Sequence, residues 1–274
     1  MDTETKNQIR RYILTVATVF LAVVLMILLL VVVDSHLPAP QDPTAPPPTG
    51  PTVPPSHVTA GNFSMENGFL VCNTEDYLTG VDVSVFQGKI DWAQVKAAGV
   101  DFVMVRLGYR GYTAGGLNTD GAALANIQGA REAGLLVGAY FFSQATNVEE
   151  AEEEARYCLE VLGDTALDLP LAFDWEPEER TANTNGKTVT DCAIAFCSIV
   201  EDAGRKSMIY FNNYQARQFL ELTRLTDYPW WLAQYNTTDN FYCRWQMWQY
   251  SCTGTVPGIS TPVDLNVLLV GESV

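Results

Sequence analysis

From residue 79 onward, short apolar runs of strand length alternate with longer amphipathic runs. We predict eight strands, at residues 80–83, 102–107, 135–142, 169–175, 207–211, 230–235, 245–250 and 263–268. Five helices are predicted at residues 91–98, 118–133, 148–162, 190–203 and 214–222. Such alternation is typical of a parallel α/β sheet. Because the late strands lie close together in sequence, we favour an irregular (β/α) barrel of about eight strands with fewer than eight helices. A doubly wound open sheet is the alternative.

An uncharged apolar run near the N-terminus begins at Ile13 and ends at Val33. As a helix, its 21 residues would span about 30 Å, the thickness of a bilayer core. A cleaved signal peptide is the alternative, but the apolar region of a signal peptide usually has only about 7–15 residues. We therefore predict one transmembrane helix at residues 13–33 that follows a short tail at residues 1–12.

The charges that flank this run predict its orientation. Lys6, Arg10 and Arg11 precede it and Asp34 follows it. By the positive-inside rule, the tail is cytoplasmic and everything after residue 34 is extracellular, as in a single-pass protein of the cell membrane. Residues 38–55 hold 9 of the 14 prolines and predict an extended spacer. We assign residues 34–78 to this linker and a transition segment without a readable pattern, and residues 79–274 to a catalytic domain.

Charge and histidine content exclude several classes of function. The chain has 32 acidic and 16 basic side chains, a formal net charge of −16, so nucleic acid should be repelled. Its two histidines, His36 and His57, both precede the predicted domain. That domain therefore lacks the histidine of a Ser-His-Asp triad or of a His-ligated zinc site. Chemistry without a metal or cofactor, based on carboxylates, tyrosines, amides or cysteines, is the expectation. The acidic run at residues 149–154 is interpreted as the solvated start of a helix.

The even number of cysteines predicts disulfides in an extracellular domain. A local pair between Cys243 and Cys252 would require the chain to turn sharply between them. Other pairings stay open, and so does the interpretation of three helical cysteines as buried thiols. The alternatives are Cys158 with Cys192 or Cys197, and Cys72 with Cys243 or Cys252.

Carboxylates follow the predicted strands at the ends where barrel enzymes carry their functional residues. Asp174 and Glu176 are two residues apart, so both side chains should point into one mouth, where mutual repulsion raises a pKa. A protonated carboxyl beside an ionised one is what cleavage of a glycosidic bond requires. Asp82 and Asp264 lie on neighbouring predicted strands and complete the candidate catalytic set. Candidate substrate-binding residues are Tyr140, Trp231, Tyr235 and Gln249.

Six segments, in order, resemble glycoside hydrolase family 25, the Chalaropsis-type lysozymes or N-acetylmuramidases. They are Gly80-Val81-Asp82-Val83-Ser84, Gln87-Gly88 with Ile90-Asp91-Trp92, Gly138-Ala139-Tyr140-Phe141-Phe142, Asp174-Trp175-Glu176, Trp248-Gln249-Tyr250 and Val263-Asp264-Leu265-Asn266. The resemblance covers about residues 79–271. It implies an irregular β/α barrel that hydrolyses the β-1,4 bond between N-acetylmuramic acid and N-acetylglucosamine in peptidoglycan, so that peptidoglycan glycan strands are its expected partner.

The resemblance also implies roles for single residues. Glu176 matches the general acid, and Asp174 matches the residue that stabilises the 2-acetamido group of the substrate. Asp82, Asp264 and Tyr140 match further residues of the family's active site. Two departures concern substrate subsites: Phe86 stands where many members have Trp or His, and the second strand ends in Arg106-Leu107-Gly108 rather than Lys-Ala-Thr-Glu. A catalytically silent wall-binding ectodomain on the same fold is the alternative function.

Overall fold

The structure is a computed structural model, and it describes residues 52–56, 58–235 and 243–270. The predicted cytoplasmic tail and transmembrane helix lie outside these residues. Within the described part, no helix is long and apolar enough to cross a membrane. The chain divides into two units, Met1–Gly50 and Pro51–Val274, and all described residues belong to the second.

Eleven strands and five α-helices are formed by the described residues. In chain order the strands are β1 (Phe63–Glu66), β2 (Phe69–Cys72), β3 (Tyr77–Val83), β4 (Phe102–Arg110), β5 (Leu117–Thr119), β6 (Leu136–Ser143), β7 (Leu171–Trp175), β8 (Ser207–Asn212), β9 (Trp230–Ala233), β10 (Met247–Gly254) and β11 (Val263–Leu269). The helices are α1 (Trp92–Ala97), α2 (Ala123–Glu132), α3 (Val148–Leu162), α4 (Gly186–Asp202) and α5 (Asn213–Gln218).

Eight of these strands close into a barrel in the order β3-β4-β6-β7-β8-β9-β10-β11, with β11 returning to β3. All neighbours from β3 to β10 are parallel, whereas β11 is antiparallel to both β10 and β3. The predicted irregular barrel is confirmed, and its closure excludes the open sheet.

Two helices begin four or five residues away from the predicted start, whereas the other three begin within one residue of it. The helix predicted at 118–133 starts at Ala123, because Leu117–Thr119 pairs with β4 as a short antiparallel strand. The helix predicted at 190–203 starts four residues earlier, at Gly186. Asn185 caps it, since its side-chain oxygen accepts a hydrogen bond from the Thr188 N–H at 3.0 Å.

Large apolar side chains fill the lower part of the barrel interior. Phe102 and Met104 point inward from β4 and are fully buried. Two glycines on the neighbouring strands make room for them, because a Cβ on Gly80 would lie 2.2 Å from the Phe102 ring and one on Gly138 would lie 2.4 Å from the Met104 sulfur. The barrel is therefore closed at this end, and polar side chains reach the interior only at its opposite mouth.

The transition segment, which had no readable pattern, folds as a β1–β2 hairpin on the outer surface of the barrel. The ring of Phe63 lies 5.3 Å from that of Trp248 in an edge-to-face arrangement and 6.0 Å from that of Trp245. The backbone N–H of Leu70 donates to the Tyr250 hydroxyl at 3.1 Å. The residues described between β9 and β11 include no α-helix. The hairpin thus covers a barrel face that helices cover elsewhere.

The predicted disulfides are not found in the described part of the chain, where the thiols of five cysteines are free. Pairing of Cys243 with Cys252 is wrong because β10 continues as an extended strand through Cys252, without the sharp return that the bridge requires. Three thiols are buried in α3 and α4, and burial raises their pKa, for two of them to about 12. These three are inert buried thiols. The free cysteines are Cys72, Cys158, Cys192, Cys197 and Cys252.

The acidic run at residues 149–154 is not simply solvated, contrary to prediction. Glu154 is fully buried in α3, and one of its carboxylate oxygens accepts the Arg110 Nε–H at 2.7 Å. Glu153 accepts the Nη2–H of the same arginine at 2.8 Å. Burial, the largest effect, raises the pKa of Glu154 to about 7 in spite of the neighbouring guanidinium. The run therefore fastens α3 to the end of β4.

Removal of the Phe63 ring tests how much the β1–β2 hairpin contributes to the stability of the barrel. We expect Phe63→Ala to lower the free energy of unfolding by about 3 kcal/mol, because it empties a nearly buried aromatic site between strand and hairpin. Denaturant unfolding followed by tryptophan fluorescence measures the change. Met65→Ala, at an exposed position of the same hairpin, is the control and should change stability by no more than about 0.5 kcal/mol. Equal effects of the two substitutions would show that the hairpin does not stabilise the barrel.

Candidate active site

A cleft of about 160 Å³ opens at the mouth formed by the carboxyl ends of the parallel strands. It contains all eight of the predicted catalytic and substrate-binding residues. Three further lining residues were not predicted as site residues. The cleft is lined by Asp82, Arg106, Tyr140, Phe142, Asp174, Glu176, Tyr210, Trp231, Tyr235, Gln249 and Asp264.

Asp82 and Asp264 face each other across two strands of opposite direction. Asp82 lies near the end of β3, and Asp264 is the second residue of β11 and its direct register partner. Asp264 was expected at the mouth, although it lies near the start of the predicted strand at residues 263–268. The antiparallel direction of β11 explains this position, because it brings the start of the strand to the mouth.

Two amide side chains hold the Asp82 carboxylate in place. Its Oδ2 accepts hydrogen bonds from Gln249 Nε2 and Asn266 Nδ2, each at 2.8 Å. The amide oxygens of these residues accept hydrogen bonds in turn from three aromatic donors of the barrel. This arrangement fixes the orientation of both amides, so their N–H groups point at Asp82. The aromatic donors are Tyr210 and Tyr235 to Gln249, at 2.9 and 3.1 Å, and Trp231 to Asn266, at 2.9 Å.

The Asp82–Asp264 pair retains a proton at neutral pH. Burial raises the pKa of Asp82, although its hydrogen bonds with Asn266, Gln249 and Asp264 oppose this effect. Burial, followed by the charge of Asp82, raises the pKa of Asp264 to about 8. Since the two amides donate to Asp82 and stabilise its ionised form, we place the proton on Asp264, which shares a hydrogen bond with Asp82.

Asp174 lies near the end of β7 and is almost completely buried in the cleft. Burial raises its pKa well above the ordinary value, the charges of Glu176 and Asp82 raise it further, and Arg106 lowers it. Its Oδ1 atom has no hydrogen-bond partner among the described residues. A buried acceptor of this kind is costly unless a donor satisfies it, so the cleft is suited to a ligand with an N–H or O–H group at this point.

Glu176 immediately follows β7 and is only partly buried. Burial and, to a smaller extent, the negative charge of Glu178 raise the pKa of Glu176. A carboxyl group with a raised pKa that is accessible from the cleft can donate a proton to a bound molecule. Asp174 and Glu176 thus line one cleft, as their spacing in the sequence predicted, with Asp174 more deeply buried.

Arg106, which the sequence marked only as a departure from the family pattern, is a cation that lines the cleft. Both Nε and Nη2 donate to Asp120 Oδ2 at 2.8 Å, and the guanidinium carbon lies 4.9 Å from the centre of the Phe86 ring. Tyr210 was also missed, although it lies near the end of a predicted strand, two residues before Asn212 ends β8. Strand-end position was the signal that could have identified both residues.

A closed β/α barrel whose mouth carries paired carboxylates with raised pKa values is the architecture of a glycosidase. The family model described as "Glycosyl hydrolases family 25" matches residues 81–259, well over half of the chain. The match ends just before β11, which carries Asp264.

Relatives and solved structures agree with this match. The uncharacterized protein YegX of Escherichia coli (strain K12) is 33% identical over 197 aligned positions, and the match covers 69% of this chain and 68% of that protein. Lysozyme M1 of Streptomyces globisporus is 27% identical and matches over 68% of this chain and 66% of its own length. The structure of a family 25 glycosyl hydrolase from Bacillus anthracis superposes with a TM-score of 0.62 at 20% identity, covering 76% of this chain and 96% of that one. The chain therefore belongs to glycosyl hydrolase family 25 and is a glycosidase of the lysozyme type.

The shared proton predicts a pH dependence of stability. An unfolded aspartate titrates near pH 4, whereas Asp264 in the folded protein has a pKa of about 8. Between these values the unfolded state releases a proton that the folded state keeps, so stability falls as pH rises. In Asp264→Asn, an uncharged amide replaces the protonated carboxyl. We expect its melting temperature to fall less than that of the unmodified protein between pH 5 and pH 8.

Differential scanning calorimetry at several pH values measures this dependence. Asp164→Asn, at an exposed position, serves as the control and should retain the steep dependence of the unmodified protein. Parallel curves for the unmodified protein and Asp264→Asn would contradict the assignment of the proton.

Proposed function

We propose that the protein hydrolyses the β-1,4 bond between N-acetylmuramic acid and N-acetylglucosamine in peptidoglycan. Relatives of known activity support this substrate: one is named Lysozyme M1 and another, from Clostridium acetobutylicum, is named an autolytic lysozyme. The modular autolysin LytC of Streptococcus pneumoniae, solved in complex with a synthetic peptidoglycan ligand, is 26% identical with a TM-score of 0.63, over 79% of this chain and 52% of that one.

The observation that carries the mechanism is the carboxyl pair at the end of β7. Asp174 is buried and its Oδ1 has no hydrogen-bond partner among the described residues, whereas Glu176 is only partly buried. In the proposed reaction Glu176 donates its proton to the glycosidic oxygen, and the bond between this oxygen and the anomeric carbon breaks. The carbonyl oxygen of the substrate's 2-acetamido group attacks the anomeric carbon. The unpartnered Asp174 oxygen accepts the acetamido N–H and stabilises the positive charge of the resulting ring. Glu176 then takes a proton from the water that opens this ring.

Arg106 and Asp264 adjust the charge around this pair. Arg106 is a positive charge near Asp174, so it favours the ionised form that stabilises a positive intermediate. Asp264 retains its proton, which spares the cleft one further negative charge. In the proposed mechanism Asp174 acts as an anion while Glu176 keeps its proton. Burial and the neighbouring carboxylates raise the pKa of Asp174, and the charge of Arg106 partly opposes this rise.

Exposed aromatic side chains around the cleft support a polymeric sugar substrate. Phe86 follows β3 and Tyr112 follows β4 on one side, whereas Tyr214 follows β8 and Tyr235 follows β9 on the other. Their exposed fractions range from 49% to 72%, which is unusual for such large rings. Aromatic faces on both sides of the carboxyl pair suit sugar rings on both sides of the scissile bond.

We further propose that residues 13–33 anchor the protein in the cell membrane, with the N-terminus cytoplasmic and the catalytic domain outside. The length of the uncharged run and the basic residues before it support this topology. A tether of this kind would raise the local concentration of an acidic enzyme at a wall that is often acidic too.

Replacement of the proposed acid tests the mechanism. Glu176→Gln keeps the shape of the side chain but has no carboxyl proton to donate, so we expect turnover of purified peptidoglycan to fall by roughly 10²–10⁴-fold. Turnover is measured as the release of new reducing ends, and the sugar at the new end is identified. Glu179→Gln, an exposed position in the same loop, is the matched control and should be fully active. Near-normal activity of Glu176→Gln would refute the assignment. An unmodified protein that binds peptidoglycan without cleaving it would instead be the silent ectodomain.

External protease tests the topology. Protease added to intact cells should cut within residues 38–55, release the catalytic domain and leave a small membrane-bound stub, because the spacer is proposed to be extended and extracellular. Immunoblots with separate tags on the two ends of the chain follow both fragments. Protein in the medium with a new N-terminus near residue 37 would show that the apolar run is a cleaved signal.

A further inference from the structure

The position of Glu176 is determined by a loop, because the residue lies just beyond the last residue of β7. A side chain from helix α5 and one from the loop after β6 hold the backbone at this point. Gln215 Nε2 donates to the carbonyl oxygen of Trp175 at 2.6 Å, and Gln144 Nε2 donates to that of Glu176 at 2.8 Å. The Thr181 hydroxyl lies 3.2 Å from the same Glu176 oxygen. The proposed acid therefore has its backbone held from both sides.

Gln144, whose side chain binds the backbone of Glu176 itself, is in turn held by a residue of the loop that contains Glu176. Arg180 Nη1 donates to the backbone carbonyl of Gln144 and, at 3.0 Å, to Glu150 Oε2. Arg180 Nη2 donates to the other carboxylate oxygen of Glu150. These contacts form a closed ring. The Gln144 side chain binds the Glu176 carbonyl, Arg180 binds the Gln144 carbonyl, and the chain itself links Arg180 to Glu176, four residues earlier.

Glu150 anchors this ring to the first turn of α3. Besides Arg180, it accepts hydrogen bonds from the Thr146 N–H at 2.8 Å and from the Thr146 hydroxyl at 3.1 Å. Although burial alone would raise its pKa, these hydrogen bonds and the arginine charge lower the pKa of Glu150 to about 2. The ion pair thus stays intact over the whole pH range in which Glu176 can act. It is bidentate, the geometry in which an arginine restricts its partner most.

We propose that the Arg180–Glu150 ion pair is a positioning device that sets the location of the Glu176 carboxyl. The proposal rests on the proposed role of Glu176 as general acid. Neither Arg180 nor Glu150 lines the cleft that holds Glu176 and Asp174. Displacement of a general acid by about 1 Å can reduce turnover by about a hundredfold without weakening binding. The ion pair therefore acts on kcat and leaves KM almost unchanged.

Variants of the full-length protein test this role. We expect Arg180→Gln and Glu150→Gln each to lower kcat on purified peptidoglycan by between about tenfold and a hundredfold, with KM changed by less than about twofold. The double variant should be no worse than either single variant, because both substitutions break the same link. Arg180→Lys, which keeps the charge but not the bidentate geometry, should lie between Arg180→Gln and the unmodified protein.

The same helix provides a matched control. Arg156 and Glu152 form an exposed ion pair of 2.8 Å on α3, and Arg156→Gln or Glu152→Gln should leave kcat unchanged. Melting temperatures are measured for all variants, so that kcat is compared only among fully folded proteins. If Arg180→Gln does not fold, Arg180→Lys decides the question, and a kcat equal to that of the unmodified protein overturns the proposal.

Glu176→Gln, measured in parallel, distinguishes a failure of the positioning role from a failure of the proposed general-acid role. If it is inactive while the folded Arg180 and Glu150 variants keep kcat within about twofold, the positioning role is wrong and the proposed acid stands. If the variants instead raise KM at constant kcat, the pair shapes the binding cleft and the positioning role is also wrong. Full activity of Glu176→Gln would refute the proposed function itself.

Discussion

Electrostatic repulsion among four carboxyl groups in one barrel mouth is the constraint to which much of the surrounding structure responds. Asp82, Asp174, Glu176 and Asp264 all line the cleft, where burial already disfavours their charged forms. The molecule limits the resulting cost in three ways. Amide donors stabilise the charge on Asp82, and a proton remains on Asp264. Arg106 adds a positive charge close to Asp174, which offsets part of the remaining negative charge.

The barrel supplies the geometry that this electrostatic arrangement needs. Phe102 and Met104 fill the lower interior because Gly80 and Gly138 leave space for them, so polar groups can enter only at the mouth. The reversed direction of β11 brings Asp264 level with Asp82, which lets two carboxyls share a proton. An all-parallel barrel would place the end of the last strand at the mouth, and Asp264, near the start of that strand, would lie far from Asp82.

The sequence was sufficient to predict what depends on local pattern. The eight strands follow from apolar runs, and the grouping of Asp82, Asp174 and Glu176 follows from strand ends. Features that depend on long-range packing could not be predicted. The direction of β11, the hairpin against Trp248 and the buried pair of Arg110 with Glu154 join residues far apart in sequence. The cysteine prediction failed for a related reason: an even count says nothing about whether a strand turns, and β10 does not turn before Cys252.

The raised pKa values connect stability with the proposed chemistry. Each cleft carboxyl that keeps its proton longer in the folded state than in the unfolded state makes the protein less stable as pH rises. The proposed acid, Glu176, also loses its catalytic proton in the same direction. Asp174 sets the opposite limit, since it must be ionised to stabilise a positive intermediate. Burial raises its pKa and moves its ionised range toward higher pH, an effect that Arg106 partly opposes. The burial that gives Glu176 a proton to donate therefore also lowers stability at alkaline pH. The hydrogen bonds that Gln215 and Gln144 donate to the carbonyl oxygens of Trp175 and Glu176 hold the proposed acid in place despite that cost.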